Sequence, residues 1–163
     1  MSRARDLSFT LRPSLLDDLG LVPALMWLIS RYTEQTSMKV DFHHDEKNRR
    51  FPPEIEIVLF RVIQEALTNA ARHAGVGEAF VSLEVHDLTV IARIEDKGAG
   101  FHPDELMKTG VTLGITGIRE RVEDAGGSVR IQSEPERGTR MTITIPLMCP
   151  LQNHARSVSN SCA

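Results

Sequence analysis

Cysteine, charge imbalance and long apolar runs are all scarce in this sequence, and each shortage removes a class of function. The only two cysteines, Cys149 and Cys162, lie near the C-terminus. They have no CxxC spacing to hold a metal or run a redox couple, so they fit a reducing, cytoplasmic setting. A formal net charge of −3, with no long basic run, leaves no electrostatic footprint for nucleic acid. No apolar run reaches the ~18 residues of a membrane span, and the N-terminal MSRARDLSF lacks the apolar core of a signal peptide. The segment is therefore expected to be soluble and to make no membrane contact, whether or not a longer parent is membrane-anchored. What remains is 163 residues, 41% hydrophobic and 25% charged. That is ordinary for one globular domain, large enough to bury a core without disulfides or metal.

The richest stretch is residues 54 to 74, EIEIVLFRVIQEALTNAARHA. Ile55, Val58, Leu59, Val62, Ile63, Ala66, Leu67 and Ala70 fall at the i, i+3, i+4, i+7 spacing of an amphipathic helix bounded by Pro53 and Gly75. Beside that stripe runs a polar one: Glu65, Asn69 and Arg72 stand at i, i+4 and i+7, which puts a carboxylate, an amide and a guanidinium on one edge of a regular helix. Taken alone, that edge also fits a solvated flank with an ordinary Glu to Arg pairing.

Upstream, the first dozen residues are polar and basic, and Pro13 disfavours helix at Arg12. Val22 to Thr36 reads as a helix whose core candidates are Leu25, Trp27, Leu28 and Ile29, with Trp27 placed in packing rather than as a ligand platform. Met38 to Phe42 alternates as a short strand. His43 and His44, followed by DEKNRR, read as a charged loop and are too few to make a metal site.

Downstream, AFVSLEV and LTVIARIED alternate as two strands with a turn at His86 and Asp87; the second puts Leu88, Val90, Ala92 and Ile94 on one face. One further step of that alternation reaches Asp96, a carboxylate on an apolar face where the strand ends in DKGAGF. Such a group needs a donor, either a backbone amide, an arginine or a ligand amino group. Gly98 and Gly100 allow close backbone approach. After an irregular segment from Phe101 to Leu113, Gly114 and Thr116-Gly117 precede the helix IRERVEDA. Glycines before a helix N-terminus suit an anion, although Thr116 could simply cap the loop. SVRIQS and TRMTITIPL complete the strands, and Thr139 is the polar member of the apolar face formed by Met141, Ile143 and Ile145.

The succession RVIQEALTNAARHA, EDKGAGF, LGITGIRERVEDAGG and ERGTRMTITIPL resembles the N, G1, G2 and final-strand motifs of the ATP-binding domain of sensor histidine kinases. These belong to the gyrase, chaperone, kinase and mismatch-repair (GHKL) ATPase superfamily. QEALTNAARHA with GIRER is similar to the subfamily whose partners are response regulators with helix-turn-helix outputs. The match spans roughly residues 50 to 147, and LRPSLLDDLGLVPAL resembles the end of the dimerisation helices and their junction.

The resemblance implies an α+β, Bergerat-type fold: a two-layer α/β sandwich with a mixed, mainly antiparallel sheet. It divides the chain into a dimerisation-helix remnant and junction (1–20) and an ATP-binding catalytic domain (21–148), while the Ser- and Asn-rich composition of residues 149–163 predicts a disordered tail. It further implies that Asn69 holds Mg²⁺, that Glu65 lies near the metal and γ-phosphate, and that Arg72 and His73 contact phosphate. Asp96 would accept from the adenine amino group, with Thr139 beside it. Gly98 and Gly100 would admit the base, Gly114, Ile115 and Gly117 would flank the phosphates, and residues 101 to 113 would form an ATP lid. The subfamily's phosphoacceptor histidine, in a pattern resembling ELHD, has no counterpart here. The expected activity is therefore transfer from Mg·ATP to a histidine on a dimerisation domain outside this chain. The other reading is a stand-alone ATP-binding module, such as an anti-sigma-factor-like serine kinase or a partner-binding switch.

Overall fold

The computed structural model describes residues 14–45, 50–74, 77–102 and 113–147. In chain order these form α1 (Ser14–Leu19), α2 (Leu21–Thr36), β1 (Lys39–His44), α3 (Pro53–Asn69) running into a π-helical turn (Ala70–Ala74), β2 (Glu78–His86), β3 (Thr89–Asp96), α4 (Leu113–Asp124), β4 (Ser128–Glu134) and β5 (Gly138–Pro146). The five strands make one sheet in the order β1-β2-β3-β5-β4. Only the β1–β2 pair is parallel; the other three are antiparallel.

Period-two alternation sends Val81 and Leu83 of β2, Val90, Ala92 and Ile94 of β3, and Met141, Ile143 and Ile145 of β5 to one face, where they are buried. The helices bury their stripes on that face: Leu25, Leu28 and Tyr32 of α2, Leu59, Ile63 and Leu67 of α3, and Ile118 and Val122 of α4 join a single core. Leu16 of α1 enters the same core. The opposite face carries ion pairs, Arg93 with Glu84 and Arg140 with Glu95. The result is the expected two-layer α+β sandwich with a mixed, mainly antiparallel sheet. Among the described residues no helix is long and apolar enough to cross a membrane.

The helix that bears the polar edge is anchored firmly at its start. Pro53 occupies its first turn, where a missing N–H costs nothing. Glu56, only 2% exposed, accepts the Phe51 N–H at 3.0 Å and the Arg50 Nε–H at 3.1 Å. A buried carboxylate is tolerable here because both partners are in place.

Several local expectations need correction. Trp27 is not a core residue: it is 43% exposed, with the Arg31 guanidinium carbon 5.8 Å from its ring centroid. The core stripe of α2 runs through Leu21, Ala24, Leu25, Leu28 and Tyr32, and position 27 falls off it. His43 and His44 are strand, not loop, because the parallel pairing continues through them to Ser82 and Leu83. The hairpin turn lies at Asp87 and Leu88, one residue later than expected, since His86 still pairs with Thr89; Leu88 is consequently exposed. Finally, α4 begins at Leu113, so Gly114 and Gly117 lie within its opening turns rather than ahead of it.

Candidate functional site

A cavity of about 270 Å³ opens between α3, α4 and the ends of β3, β4 and β5. Its helical wall carries Glu65 and Asn69 from α3 and Gly114 and Ile115 from α4. Its strand corner carries Asp96, Gly100, Phe101 and Thr139, and Ala66, Ala70, Ile94, Ile131 and Met141 supply apolar lining. A polar wall, a polar corner and an apolar surface together suit a ligand with a flat apolar body and charged groups at one end.

The corner is set by strand register. Asp96 is the last residue of β3 and pairs directly with Thr139 of β5, so the two polar positions of two otherwise apolar faces stand side by side. The Gly98 N–H donates to Asp96 Oδ1 at 2.8 Å. Burial pushes the Asp96 carboxyl up from its ordinary range, with the Gly98 and Thr139 amides opposing that shift. An acceptor that is partly desolvated yet held by backbone donors is well prepared to receive a ligand N–H.

The loop after β3 is stitched to the β4–β5 hairpin. The Glu136 N–H donates to the Ala99 carbonyl at 2.7 Å, and the Phe101 N–H donates to Ser133 Oγ at 2.9 Å. The Ser133 hydroxyl donates to the Gly138 carbonyl at 2.9 Å and stands 3.1 Å from Thr139 Oγ1. Gly100 has φ +59, and a Cβ there would fall 2.0 Å from the Glu134 carbonyl oxygen. No other residue fits that crossing. On the helical wall, a Cβ on Gly114 would lie 2.6 Å from Glu65 Oε1 and 3.6 Å from Asn69 Nδ2, so the bare glycine is what lets α4 close on the polar edge of α3.

Of the residues singled out by sequence, Glu65, Asn69, Asp96, Gly100, Gly114, Ile115 and Thr139 meet at this cavity. Gly98 lies behind Asp96 as its amide donor. Gly117 faces Arg121. Arg72 is exposed and is not among the lining residues; among the described residues it forms no ion pair with Glu65. The π-helical turn explains its departure: a wider turn advances less than the ~100° per residue of an α-helix, so positions beyond Asn69 fall behind the Glu65–Asn69 edge. The side chain of His73 and most of the lid segment, residues 103–112, lie outside the described residues.

Sequence reasoning overlooked Ser133, Gly138 and Ile131. Their only signal was position: Ile131 alternates on the inner face of β4, and Gly138 marks a hairpin. A larger depression, about 1110 Å³, runs along one end of the strands and shares Asp96, Ile131 and Thr139 with the cavity. Two ion pairs lie in it, Arg137–Glu134 at 3.0 Å and Arg140–Glu95 at 2.8 Å.

Comparison with known proteins agrees with this geometry. Residues 54–148 match the family described as histidine kinase-, DNA gyrase B-, and HSP90-like ATPase. The chain is 41% identical over 143 residues to the oxygen sensor histidine kinase NreB of Staphylococcus carnosus (strain TM300), covering 88% of this chain and 41% of that protein. It is 37% identical over 147 residues to the signal transduction histidine-protein kinase/phosphatase DegS of Brevibacillus brevis, covering 90% of this chain and 38% of that protein. The chain thus spans about two-fifths of the length of these curated relatives. Among solved structures, the Erythrobacter litoralis EL346 blue-light activated histidine kinase superposes with a TM-score of 0.63 at 26% identity, over 78% of this chain and 42% of that one. The Acinetobacter baumannii histidine kinase AdeS gives the same TM-score at 16% identity, over 82% and 73% of the two chains, a likeness of fold.

Proposed function

Because the chain belongs to the histidine kinase-, DNA gyrase B- and HSP90-like ATPase family, we propose that it is the ATP-binding catalytic domain of a two-component sensor histidine kinase. One observation carries the reading: Asp96 and Thr139, paired across β3 and β5, share a single cavity with Glu65 and Asn69. A base-reading acceptor is thereby joined to a pair of oxygen-bearing side chains suited to a metal and phosphates. The two curated relatives named above are both histidine kinases matched over most of this chain, which favours a kinase over a stand-alone switch.

In this reading Asp96 accepts a hydrogen bond from the adenine amino group, Thr139 assists it, and the base lies on the apolar surface of Ile94, Ile131 and Met141. Gly100 and Gly114 bring backbone close to the ligand. Arg72 and His73, in the π-helical turn that follows α3, would supply the phosphate contacts. The fit to Mg²⁺ rests on the donor set: Glu65 and Asn69 line the cavity, and neither draws on a hydrogen bond or ion pair among the described residues. A hard cation of this kind takes one or two protein oxygens and completes its shell with phosphates and water. Asn69 would hold Mg²⁺, which when bound offsets the charge of the triphosphate.

The reaction is an in-line transfer. A histidine nitrogen on a dimerisation domain outside this chain would form a bond to the γ-phosphorus as the bond to the bridging oxygen of ADP breaks, the electron pair leaving on ADP and the imidazole N–H proton passing to solvent. Glu65 is the group here that orients the incoming acceptor. We place the catalytic unit at residues 21–148 and residues 1–20 at the junction with the dimerisation helices. The downstream partner is a response regulator with a helix-turn-helix output, and the compartment is the cytoplasm.

The test is to mix the 163-residue chain with a separately expressed dimerisation domain and γ-labelled ATP. An acid-labile, base-stable phosphohistidine is expected, dependent on Mg²⁺. Tight nucleotide binding with no such product, on a dimerisation domain shown to accept phosphate from its own kinase, refutes the kinase reading.

A further inference from the structure

Behind the polar edge of α3 sits a hydroxyl that packing alone does not require. Tyr32 of α2 is fully buried, and its phenol reaches Thr68 Oγ1 at 2.5 Å and the Gln64 carbonyl at 3.4 Å. The Thr68 hydroxyl donates to that same Gln64 carbonyl at 2.8 Å. The two hydroxyls and the Gln64 carbonyl form one hydrogen-bonded cluster, in which either hydroxyl can donate to the other. The cluster ties Tyr32 of α2 to Gln64 and Thr68 of α3, the residues immediately before Glu65 and Asn69.

The location matters because this turn is not an ordinary piece of helix. A threonine hydroxyl bonded to its i−4 carbonyl bends a helix, and the next residues, Ala70–Ala74, open into the π turn, a device that concentrates at functional sites. The two side chains facing the cavity thus ride on the last α-helical turn before a local widening, and their direction depends on what holds that turn. On the other side the bare Gly114 makes room for Glu65 Oε1, which lies 2.6 Å from where a Cβ would stand. Burial raises the Tyr32 hydroxyl above its ordinary range, so it keeps its proton at neutral pH.

We infer that Tyr32 is a positioning residue for the metal and phosphate wall: through Thr68 and the Gln64 carbonyl it sets the turn of α3 that presents Glu65 and Asn69 to the cavity. The inference rests on the nucleotide-binding reading above and adds to it a residue from another helix, far from the cavity in sequence. It also gives α2 a grip on the catalytic edge.

The experiment compares the parent chain with Tyr32→Phe, Thr68→Val and Thr68→Ser, titrating each calorimetrically with ATP and ADP, with and without Mg²⁺, and measuring thermal unfolding in parallel. Tyr32→Phe keeps the ring and Thr68→Val keeps the volume, so each removes only a hydroxyl. In both, the Mg²⁺-dependent gain in ATP affinity should shrink by about tenfold, the size seen when outer partners of a metal ligand are removed. Mg²⁺-free ADP affinity should stay within about twofold, because the Asp96 corner is untouched. Thr68→Ser should behave as the parent. An undiminished Mg²⁺ gain in Tyr32→Phe, whatever its melting temperature, overturns the role and leaves Tyr32 as packing. A parent that binds nucleotide with no Mg²⁺ gain would instead sink the metal assignment itself, and the positioning role with it.

Discussion

Replacing Asp96 by asparagine isolates the base-reading corner from everything else in the site. The carboxylate already accepts the Gly98 N–H, and in the proposed bound state it would also accept a hydrogen bond from the adenine amino group. Asparagine offers one acceptor oxygen and one amino group, so either Gly98 or the base then faces a donor with a donor. Losing a hydrogen bond to a charged group costs about 1.5–3 kcal/mol, which is about 10- to 150-fold in Kd at about 1.4 kcal/mol per decade. The loss should be equal for ATP and ADP and indifferent to Mg²⁺, because the contact is to the base. Stability should move the other way. The folded-state pKa of Asp96 lies above its ordinary value of 3.8, chiefly through burial, so the folded chain binds this proton more readily than the unfolded one. That contribution favours folding fully below the unfolded pKa and is lost as pH rises through the raised folded one. At neutral pH the ionised carboxylate therefore costs stability, and Asp96→Asn should melt no lower than the parent and show a flatter stability profile across the acid window. Calorimetry of both nucleotides, with thermal melts at several pH values, makes the check. Parental affinity for ADP in a folded Asp96→Asn chain refutes the adenine assignment.

Asn69→Ala should abolish most of the Mg²⁺-dependent gain in ATP affinity while leaving Mg²⁺-free ADP binding within about twofold, the mirror image of Asp96→Asn; the same titrations decide it. Gly114→Ala should separate fold from function. Alanine is the better helix former by about 1 kcal/mol, yet its Cβ would stand 2.6 Å from Glu65 Oε1, so melting temperature should hold or rise while Mg·ATP affinity falls about fivefold from local overpacking. A variant that binds like the parent would mean Glu65 has room to swing aside. Trp27→Ala should lower unfolding free energy by less than about 1 kcal/mol, against about 3–5 for a core tryptophan, because the ring is 43% exposed. A denaturant curve shifted by the larger amount would restore it to the core.

The features legible in sequence were those with a strong local period. The apolar stripe of α3 placed Glu65 and Asn69 on a shared edge, and the alternation of β3, carried one step past Ile94, put Asp96 among apolar neighbours. What escaped depended on contacts between distant segments. Ser133 looks like any strand serine until Phe101 and Gly138 are brought to it. Tyr32 and Thr68, 36 positions apart, meet only because α2 packs on α3. Trp27 misled because an apolar run longer than one helical stripe does not say which members face inward. Arg72 misled for a subtler reason: a helical wheel assumes a constant angle per residue, and the π turn breaks that assumption just after Asn69.

The strand order has a consequence for how this domain comes into being. Among the described strands β5 is the last to be synthesised, and it lies between β3 and the edge strand β4. A nascent chain that has emerged only as far as β4 has a three-stranded fragment and a detached hairpin arm, with the closing strand that brings Thr139 to Asp96 still missing. Every earlier piece of the pocket can be in place without a pocket existing. On the reading proposed above, a nucleotide meets the Asp96–Thr139 corner only after β5 has been inserted beside β3.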